Sequence, residues 1–203
     1  NLKGIIPGNT RFMTMDWAVD VLKQEKANDR FNVETIYYMY SNNDVETLSQ
    51  TEALEAEEDL SSGLKWISFK QKFFSYAIVS KDSFDDAFVE MHTKSRPSNS
   101  RYQKSMSTII DIPFDGLNED NKVEMSYYFG PNDFKELKQY DINLEKQIPL
   151  GGKLVAWINR LIVIPVFDWL GQYGWSYGIV ILILTLIIKI CLMPIAFKSY
   201  LSS

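Results

Sequence analysis

The sequence has very little cysteine and histidine: Cys191 and His92 are the only residues of their kinds among 203. A single cysteine cannot form a disulfide within the chain, so disulfides do not hold the fold together, and no redox compartment is excluded. A single histidine, with no cysteines or acidic residues at ligand spacing, matches no zinc motif, and no nucleophile elbow accompanies it. We therefore expect no metal site, no cofactor and no catalytic residue.

The sequence also lacks a basic patch. Up to Lys146 there are 17 Lys and Arg against 25 Asp and Glu, whereas from Gln147 onward there are four against Asp168 alone. Nucleic-acid binding requires clustered positive charge, so this class of function is excluded. The charge distribution predicts an acidic, water-facing domain over residues 1–146, which is long enough to bury one core.

One run lacks charge almost completely. The 23 residues Trp175–Phe197 include only Lys189, and as a helix rising about 1.5 Å per residue they would reach roughly 35 Å. This exceeds the hydrocarbon thickness of about 30 Å, so we predict a transmembrane α-helix over 174–198. Lys198 and Lys189 indicate that its C-terminal end, with residues 199–203, lies in the cytoplasm, which places residues 1–146 in the periplasm.

Residues 147–173 are apolar but interrupted by charges too often to span. We predict an amphipathic helix in the membrane interface, in which Pro165 introduces a kink. Tryptophans favour the headgroup level, and charged side chains at this level face water. The predicted interface residues are Trp157, Arg160, Trp169 and Trp175.

The pattern of residues 1–146 is mainly that of β-strands. Alternation or β-branched and aromatic content predicts strands over 31–40, 65–79, 84–92, 101–112 and 123–129, separated by turns. Thr14 is a candidate N-cap for a helix carrying Trp17, Val21 and Leu22, and a short helix should follow Gly130-Pro131-Asn132. The acidic stretch 44–59 indicates a solvated loop or short helix. Strands without regular intervening helices favour an antiparallel sheet or sandwich.

Lys189 allows two readings. An ammonium in hydrocarbon is costly, so Lys189 either faces a polar cavity and attracts anionic groups, or extends to the nearby headgroups. The distance to Phe197 is about 12 Å along a helix, about twice the reach of a lysine side chain. The residue alone leaves both readings open.

Four segments, in order, resemble the YidC family of membrane protein insertases. Residues 66–74 (WISFKQKFF) resemble its "W-I-x-x-K-x-x-F-F" strand, and 127–133 (YYFGPND) its "Y-x-G-P-K/N-D" segment. Residues 162–167 (IVIPVF) resemble its interfacial helix. Its second transmembrane helix is similar to 177–182 (YGIVIL), Ile188-Lys189 and Met193-Pro194-Ile195. Because the chain has no initiating Met and stops just after the predicted span, we expect a segment of a longer protein. The resemblance implies that the full protein is multi-pass.

The resemblance implies a mutarotase-like β-sandwich without enzymatic activity, located at the bacterial inner membrane. It implies an insertase and chaperone that helps nascent membrane proteins insert, fold and assemble. The groove cation, arginine in many members, would be Lys189, in a hydrophilic groove formed with other helices. Expected partners are nascent membrane proteins, the lipid bilayer, and the Sec translocon and ribosome through parts beyond this chain.

Two rival functions remain. The first is a membrane-tethered periplasmic domain that binds a carbohydrate or an envelope partner, and exposed aromatic residues on one concave sheet face would favour it. The second is a mutarotase-type enzyme, which needs a histidine with carboxylates in a cleft. His92 is the only histidine available, so this second alternative has little support.

Overall fold

The computed structural model describes residues 12–22, 34–48, 55–92, 101–113 and 123–201. The chain divides into two compact units, Asn1–Ile148 and Pro149–Ser203. The first unit is mainly antiparallel β-sheet, as predicted. Its strands are β1 (Phe12–Leu22), β2 (Thr35–Tyr40), β3 (Val45–Thr47), β4 (Glu55–Lys70), β5 (Phe74–His92), β6 (Tyr102–Pro113) and β7 (Met125–Pro131).

These seven strands form one hydrogen-bonded sheet in the order β1-β6-β5-β4-β2-β3, with β7 paired to β5. β4 and β5 are long, and each contributes to two parts of the sheet. Residues 55–61 and 86–92 continue toward β6 and β1, and we call this part the first lobe. Residues 64–70 and 74–80 lie beside β2, β3 and β7, and we call this part the second lobe.

The two lobes meet where the pairing of β4 and β5 is irregular. The register shifts between Ser61 and Leu64 and again before Trp66, and such bulges bend a strand. Gly63 lies in this bulge at φ +56, and a Cβ there would stand 2.7 Å from the Ser41 hydroxyl oxygen. The bulge therefore needs glycine for both its backbone conformation and its space.

Apolar side chains from both lobes form the main core. Period-two alternation places Met13, Met15, Trp17, Val19 and Val21 of β1 on the inner side. They pack with buried residues of the other strands, including Ile67, Phe69, Ile78, Val89, Met106 and Ile110. The predicted helix at Thr14 is wrong, because inward and outward residues alternate along 12–22 as in a strand.

A smaller core covers the opposite side of the second lobe. It contains Met39, Trp66, Ala77 and Tyr128 of the sheet, together with Leu137 and Leu144 from two short helices. These are α1 (Phe134–Lys138) and a 3₁₀ helix, Leu144–Gln147. The Asp133 carboxylate accepts hydrogen bonds from the backbone N–H groups of Lys135 and Glu136, which defines the start of the expected helix α1.

Several predicted strands match the structure, with two corrections. β2, β6 and β7 lie where strands were expected, and 84–92 forms the end of β5. Residues 65–79 are not one strand, because the chain reverses between Lys70 and Phe74 and pairs the two halves. The acidic stretch 44–59 was expected to be a solvated loop or a short helix, but its residues 45–47 form β3 and its residues 55–59 begin β4. Residues 49–54 lie outside the described residues.

The second unit is helical. α2 (Lys153–Ile158) leads into a π-helical turn (Asn159–Val163), which continues as α3 (Ile164–Gly171), and α4 (Tyr177–Leu201) follows. The Ile164 N–H bonds to the Asn159 carbonyl in the wide turn directly before Pro165. The wide turn provides the local adjustment that a proline without an N–H requires. None of the helices, judged on the residues that the structure describes, combines the length and apolar character needed to cross a membrane.

Candidate functional site at the aromatic corner and Lys189

Five aromatic residues surround the connection between α3 and α4. We call them the aromatic corner: Phe167, Trp169, Tyr173, Trp175 and Tyr177. The ring centroids of Trp169 and Tyr173 are 5.4 Å apart at 83°, and those of Tyr173 and Trp175 are 5.7 Å apart. The rings of Phe167 and Tyr177 stack at 6.1 Å. The corner thus connects the end of α3 to the start of α4.

The aromatic corner is largely open to its surroundings. Trp169 is 55 % exposed, Trp175 46 % and Tyr177 72 %. Each of these side chains combines an apolar ring with an N–H or O–H group at one end, a combination that suits a boundary between water and an apolar phase. The sequence analysis did not select Tyr173, whose ring contacts both Trp169 and Trp175. Its position between these two tryptophans in the sequence could have indicated its role.

The other two predicted interface residues lie earlier in the unit. Trp157 is an exposed residue of α2, and Arg160 is an exposed residue of the π turn that has an interaction partner. Within the described residues, no ring contact joins Trp157 to the aromatic corner. The Asn159 side-chain amide donates to the Leu150 carbonyl oxygen at 2.9 Å and ties the turn to the start of the unit.

Lys189 lies on α4, far from the aromatic corner. Twelve residues separate it from Tyr177, a distance of about 18 Å along a helix. α4 buries Val180 and Leu184, whereas Lys189 is exposed. At 3.6 residues per turn, Lys189 is about 180° around the helix axis from Val180. Its ammonium therefore points away from the buried stripe of α4.

Thr185 is the polar neighbour of Lys189, one turn earlier. Its hydroxyl donates to the Ile181 carbonyl oxygen at 2.7 Å, so the helix itself satisfies this donor. The apolar side chains Leu182, Leu186 and Met193 share the same exposed side. Lys189 therefore carries the positive charge on this side of α4. The other described side chains there are apolar, apart from Thr185, whose hydroxyl is hydrogen-bonded within the helix.

A second aromatic cluster lies in the first unit, on the inner face of the second lobe. We call it the aromatic face: Phe74, Tyr76, Tyr127 and Phe129. Tyr127 and Phe129 stack at 6.1 Å, and the Tyr76 ring is 5.5 Å from Phe129. Phe129 is 64 % exposed. Tyr128, between them in sequence, points to the opposite side of β7 and is buried.

The first unit also buries two lysines. Lys104 is fully buried, and its ammonium donates to the Glu34 carbonyl oxygen at 2.6 Å. Burial lowers the pKa of Lys104 to about 8, although the Glu34 carboxylate partly opposes this shift. Burial also lowers the pKa of Lys70. Both lysines belong to the interior of the sheet.

The two scarce residues belong to different units. His92 is the last residue of β5, and Cys191 lies within α4. In the part of the chain with described positions, no group of His, Cys, Asp or Glu is suited to hold a metal ion.

The sequence of this two-unit chain matches known proteins over most of its length. Residues 12–180 match the family model of the YidC periplasmic domain. The chain is 36 % identical over its whole length to a protein of Parabacteroides distasonis named membrane protein insertase YidC. It is 32 % identical to the protein of that name from Porphyromonas gingivalis W83, and 33 % to that of Bacteroides fragilis ATCC 25285, again over its whole length.

The chain belongs to the YidC family. It covers 32 % of the length of the Parabacteroides protein and 33 % of the length of the other two. It thus spans about one third of the curated relatives it matches.

Proposed function

We propose that this chain is part of an insertase and chaperone that helps nascent membrane proteins insert, fold and assemble in a bacterial inner membrane. The observation that carries the proposal is the alignment of the whole chain, at 36 % identity, with a relative named membrane protein insertase. In this proposal the chain acts by binding and positioning, without a cofactor and without covalent chemistry.

We propose further that α4 crosses the membrane. Its 25 residues would reach about 37 Å, and the sequence carries no charge from Ile190 to Phe197. Lys189 and Lys198 favour a cytoplasmic C-terminal end. The acidic first unit would then be periplasmic. Further spans would belong to parts of the protein outside this chain.

The aromatic corner would mark the periplasmic boundary of that span. Its exposed tryptophans and tyrosines suit the headgroup region, and α2, the π turn and α3 would lie in the interface next to it. Trp157, Arg160, Trp169 and Trp175 would then share the interface. Support comes from the exposure of all three tryptophans and of the Arg160 side chain.

Lys189 would provide the working cation. A water-filled groove partway through the membrane shortens the dry path of polar substrate segments, and a cation within it attracts their acidic groups. Apolar substrate segments then move into lipid, a transfer worth about 25 cal/mol per Å² of apolar surface. The position of Lys189 opposite the buried stripe of α4 is compatible with a groove and also with extension to headgroups. Contacts with the Sec translocon and the ribosome would involve other parts of the protein.

The first unit would be a β-sandwich of the mutarotase-like type. Trp17 of the first lobe contacts both Phe69 and Tyr127 of the second, so side chains from the two lobes meet across a shared interior. This contact supports two facing layers. In this proposal the sandwich holds and orients, and it has no sugar-modifying activity.

The test is a charge series at Lys189 in the full-length protein. The native insertase is depleted, variants Lys189→Arg, Lys189→Ala and Lys189→Glu are supplied at equal levels, and insertion of a single-span substrate with an acidic tail is followed. Lys146→Ala, at an exposed position in the first unit, serves as the matched control. If Arg and the control insert normally while Ala and Glu fail, the cation is required. Equal insertion by all variants would contradict this role of Lys189 while leaving the family membership untouched.

The aromatic face favours a second candidate, a membrane-tethered domain that binds a carbohydrate or an envelope partner. Sugar rings stack on exposed aromatic rings, and Tyr127 and Phe129 are 52 % and 64 % exposed on the inner face of the lobe. Titration of the chain with a soluble hexasaccharide panel tests it. Binding that is lost in Phe129→Ala and kept in the exposed control Tyr140→Ala would support this function, and an absence of binding would remove it.

A further inference from the structure

The turn between β4 and β5 exposes two phenylalanine rings. Phe73 is 49 % exposed and Phe74 is 47 % exposed. Lys72 precedes them and is exposed, and its ammonium lies 5.4 Å from the centroid of the Phe73 ring. Turns are ordinarily rich in glycine, proline, asparagine, aspartate and serine, whereas this turn presents an ammonium beside two large apolar rings. Its composition therefore needs a reason other than the formation of a turn.

Backbone hydrogen bonds hold the shape of this turn. The Gln71 N–H donates to the Phe74 carbonyl oxygen at 2.8 Å. From outside the turn, the Asn132 N–H donates to the Phe73 carbonyl oxygen at 2.7 Å, and the Asn132 side-chain amide donates to the Gln71 carbonyl oxygen at 2.7 Å. The side chains of Lys72 and Phe73 take no part in these bonds. Natural proteins break such local rules chiefly at functional sites, so the two exposed rings indicate a contact surface.

The start of α1 adds positive charge at the same end of the second lobe. α1 begins two residues after Asn132, and Lys135 is exposed in its first turn. The Asp133 carboxylate accepts hydrogen bonds from the N–H groups at the start of α1. Pro131, which pairs with Phe74, is exposed as well. We call the following residues the basic aromatic tip: Lys72, Phe73, Phe74, Pro131 and Lys135.

The stretch that contains the turn differs in charge from the rest of the first unit. Residues 63–80 hold three lysines and no Asp or Glu, whereas residues 1–146 as a whole hold 17 Lys and Arg against 25 Asp and Glu. Because an anionic lipid surface attracts lysine and repels carboxylates, an acidic domain approaches it best through such a stretch. Apolar rings beside ammonium groups are also the combination that enters the boundary between headgroups and acyl chains.

The chain leaves the first unit beside the basic aromatic tip. The Gln147 side chain accepts a hydrogen bond from the hydroxyl of Ser75, the residue after Phe74, and the unit ends at Ile148. The residues that follow are those proposed above to lie in the membrane interface. A membrane surface is therefore the partner that the chain itself brings to this end of the sheet, and in this respect the inference rests on the proposed function.

We propose that the basic aromatic tip docks onto the surface of a membrane that contains anionic lipid. Phe73 and Phe74 enter the boundary between headgroups and acyl chains, and Lys72 and Lys135 bind phosphate oxygens of the headgroups. Because Asn132 fixes the turn, docking orders few additional backbone groups and loses little conformational entropy. The contact belongs to the first unit and is separate from the aromatic corner.

The test places a tryptophan in the basic aromatic tip. The complete chain carrying Phe73→Trp is reconstituted into phosphatidylcholine vesicles, with or without phosphatidylglycerol, whose lipids are brominated near the headgroup end of their chains. The fluorescence of the unchanged chain under the same conditions is subtracted, so that quenching of the added tryptophan is measured. The matched control is Asp82→Trp, at an exposed position of β5 eight residues beyond Phe74.

The charge dependence of quenching separates docking from chance proximity. We expect the tryptophan of Phe73→Trp to be quenched with phosphatidylglycerol present, and less without it or at high salt. Adding Lys72→Gln and Lys135→Gln should lower the ratio of docked to undocked chain about 25-fold, since each lysine near an anionic surface contributes about fivefold. The control pair Lys65→Gln and Lys81→Gln, outside the tip, should leave this ratio unchanged.

The apolar contribution is measured by Phe74→Thr in the Phe73→Trp chain. This change should lower quenching both with and without phosphatidylglycerol, because it removes apolar area and no charge. The lysine changes should lower quenching only where phosphatidylglycerol is present. Equal losses from the tip and control lysine pairs would overturn the proposal.

Retention of the chain on vesicles at high salt tests the proposed span of α4 separately, because salt does not release an apolar helix. If the chain is retained and Phe73→Trp is quenched no more than Asp82→Trp, docking is wrong and the span stands. A chain that salt releases from phosphatidylglycerol vesicles, with lysine-dependent quenching, would support docking and contradict the span. A chain that binds neither kind of vesicle would overturn both. A blue shift of Phe73→Trp that grows with chain concentration in neutral detergent would overturn docking and assign the tip to contact between copies of the chain.

Discussion

Trp17 on β1 stacks on Phe69 on β4 with ring centroids 4.5 Å apart, although β1 and β4 are not neighbours in the hydrogen-bonded sheet. The contact joins the two lobes through side chains alone. Trp17 also meets the ring of Tyr127 edge-on at 6.5 Å. Its indole therefore lies between the main core and the aromatic face.

Replacement of Trp17 should weaken the first unit. We expect Trp17→Ala to lower the free energy of unfolding by about 3 kcal/mol, because it removes aromatic stacking and leaves a cavity, and Trp17→Phe to cost less. Phe73→Ala, at a half-exposed ring in the turn after β4, should cost under about 1 kcal/mol. Denaturant titration of the chain in neutral detergent measures these values. Equal effects of Trp17→Ala and Phe73→Ala would contradict a joining role for Trp17.

Lys104 should make stability depend on pH in the alkaline range. Its pKa is about 8 in the folded protein, against 10.5 as its ordinary value. Between these two values the unfolded chain binds more protons, so the free energy of unfolding rises with pH, by at most about 1.4 kcal/mol per pH unit. Below pH 8 both states are protonated, and the cost of the buried charge is complete.

The substitution Lys104→Met should reduce this rise, because it removes the titrating group and keeps the volume. Lys70, whose pKa is also lowered, leaves a residual slope. Denaturation midpoints at steps from pH 7 to pH 10.5 measure the effect, with the exposed Lys138→Met as control. An unchanged slope in Lys104→Met would show that Lys104 is not a source of the alkaline dependence.

Gln147 should hold the last helical turn of the first unit against the sheet. Its side-chain carbonyl accepts hydrogen bonds from the hydroxyls of Ser68 at 2.8 Å and Ser75 at 3.2 Å, and it is fully buried. Gln147→Ala removes the acceptor of the buried Ser68 hydroxyl, which costs about 1–3 kcal/mol if this donor is left without a partner. The Ser75 hydroxyl keeps the Asn132 side-chain oxygen as its acceptor.

Hydrogen exchange locates the effect of Gln147→Ala. Amides of 139–148 should exchange faster in this variant, while those of β1 and β6 should be unaffected. Lys146→Ala, next to it and exposed, is the control. Faster exchange throughout the sheet would show that Gln147 supports the whole unit and not one turn.

The aromatic corner should respond to lipid. If the corner lies in the interface, lipids brominated near the headgroup end of their chains should quench Trp169 and Trp175. Trp169→Phe and Trp175→Phe should each lower the quenched fraction of tryptophan fluorescence in vesicles. Trp66 is fully buried in the sheet, so Trp66→Phe should not lower it. Loss of quenching only with Trp66→Phe would exclude the interfacial placement.

The sequence predicted those elements whose residue pattern is compatible with only one type of secondary structure. β6 and α1 follow this rule: the alternation over 101–112 fits only a strand, and Asp133 precedes three apolar residues at helical spacing. β1 shows the opposite case. Trp17, Val21 and Leu22 fit a helix face, while Met13, Met15 and Val19 complete a strand pattern that tertiary pairing with β6 favours.

Other features depend on pairing that a single sequence does not contain. The turn between β4 and β5 has Gln71, Lys72 and Phe73, and none of these is a turn-forming residue such as Gly, Pro or Asn. Lys189 and the tryptophans could be selected from composition, whereas the ring contacts through Tyr173 required coordinates.

The burial of Gln147 has a mechanical consequence. The first unit ends at Ile148, one residue after this side chain is fastened to β4 and β5, and Asn132 bonds to Ser75 beside it. Tension applied to the chain at Pro149 would therefore load central strands through side-chain bonds, with almost no slack to absorb it. A force applied through the helical unit would therefore act on β4 and β5 before the C-terminal end of the first unit could unfold.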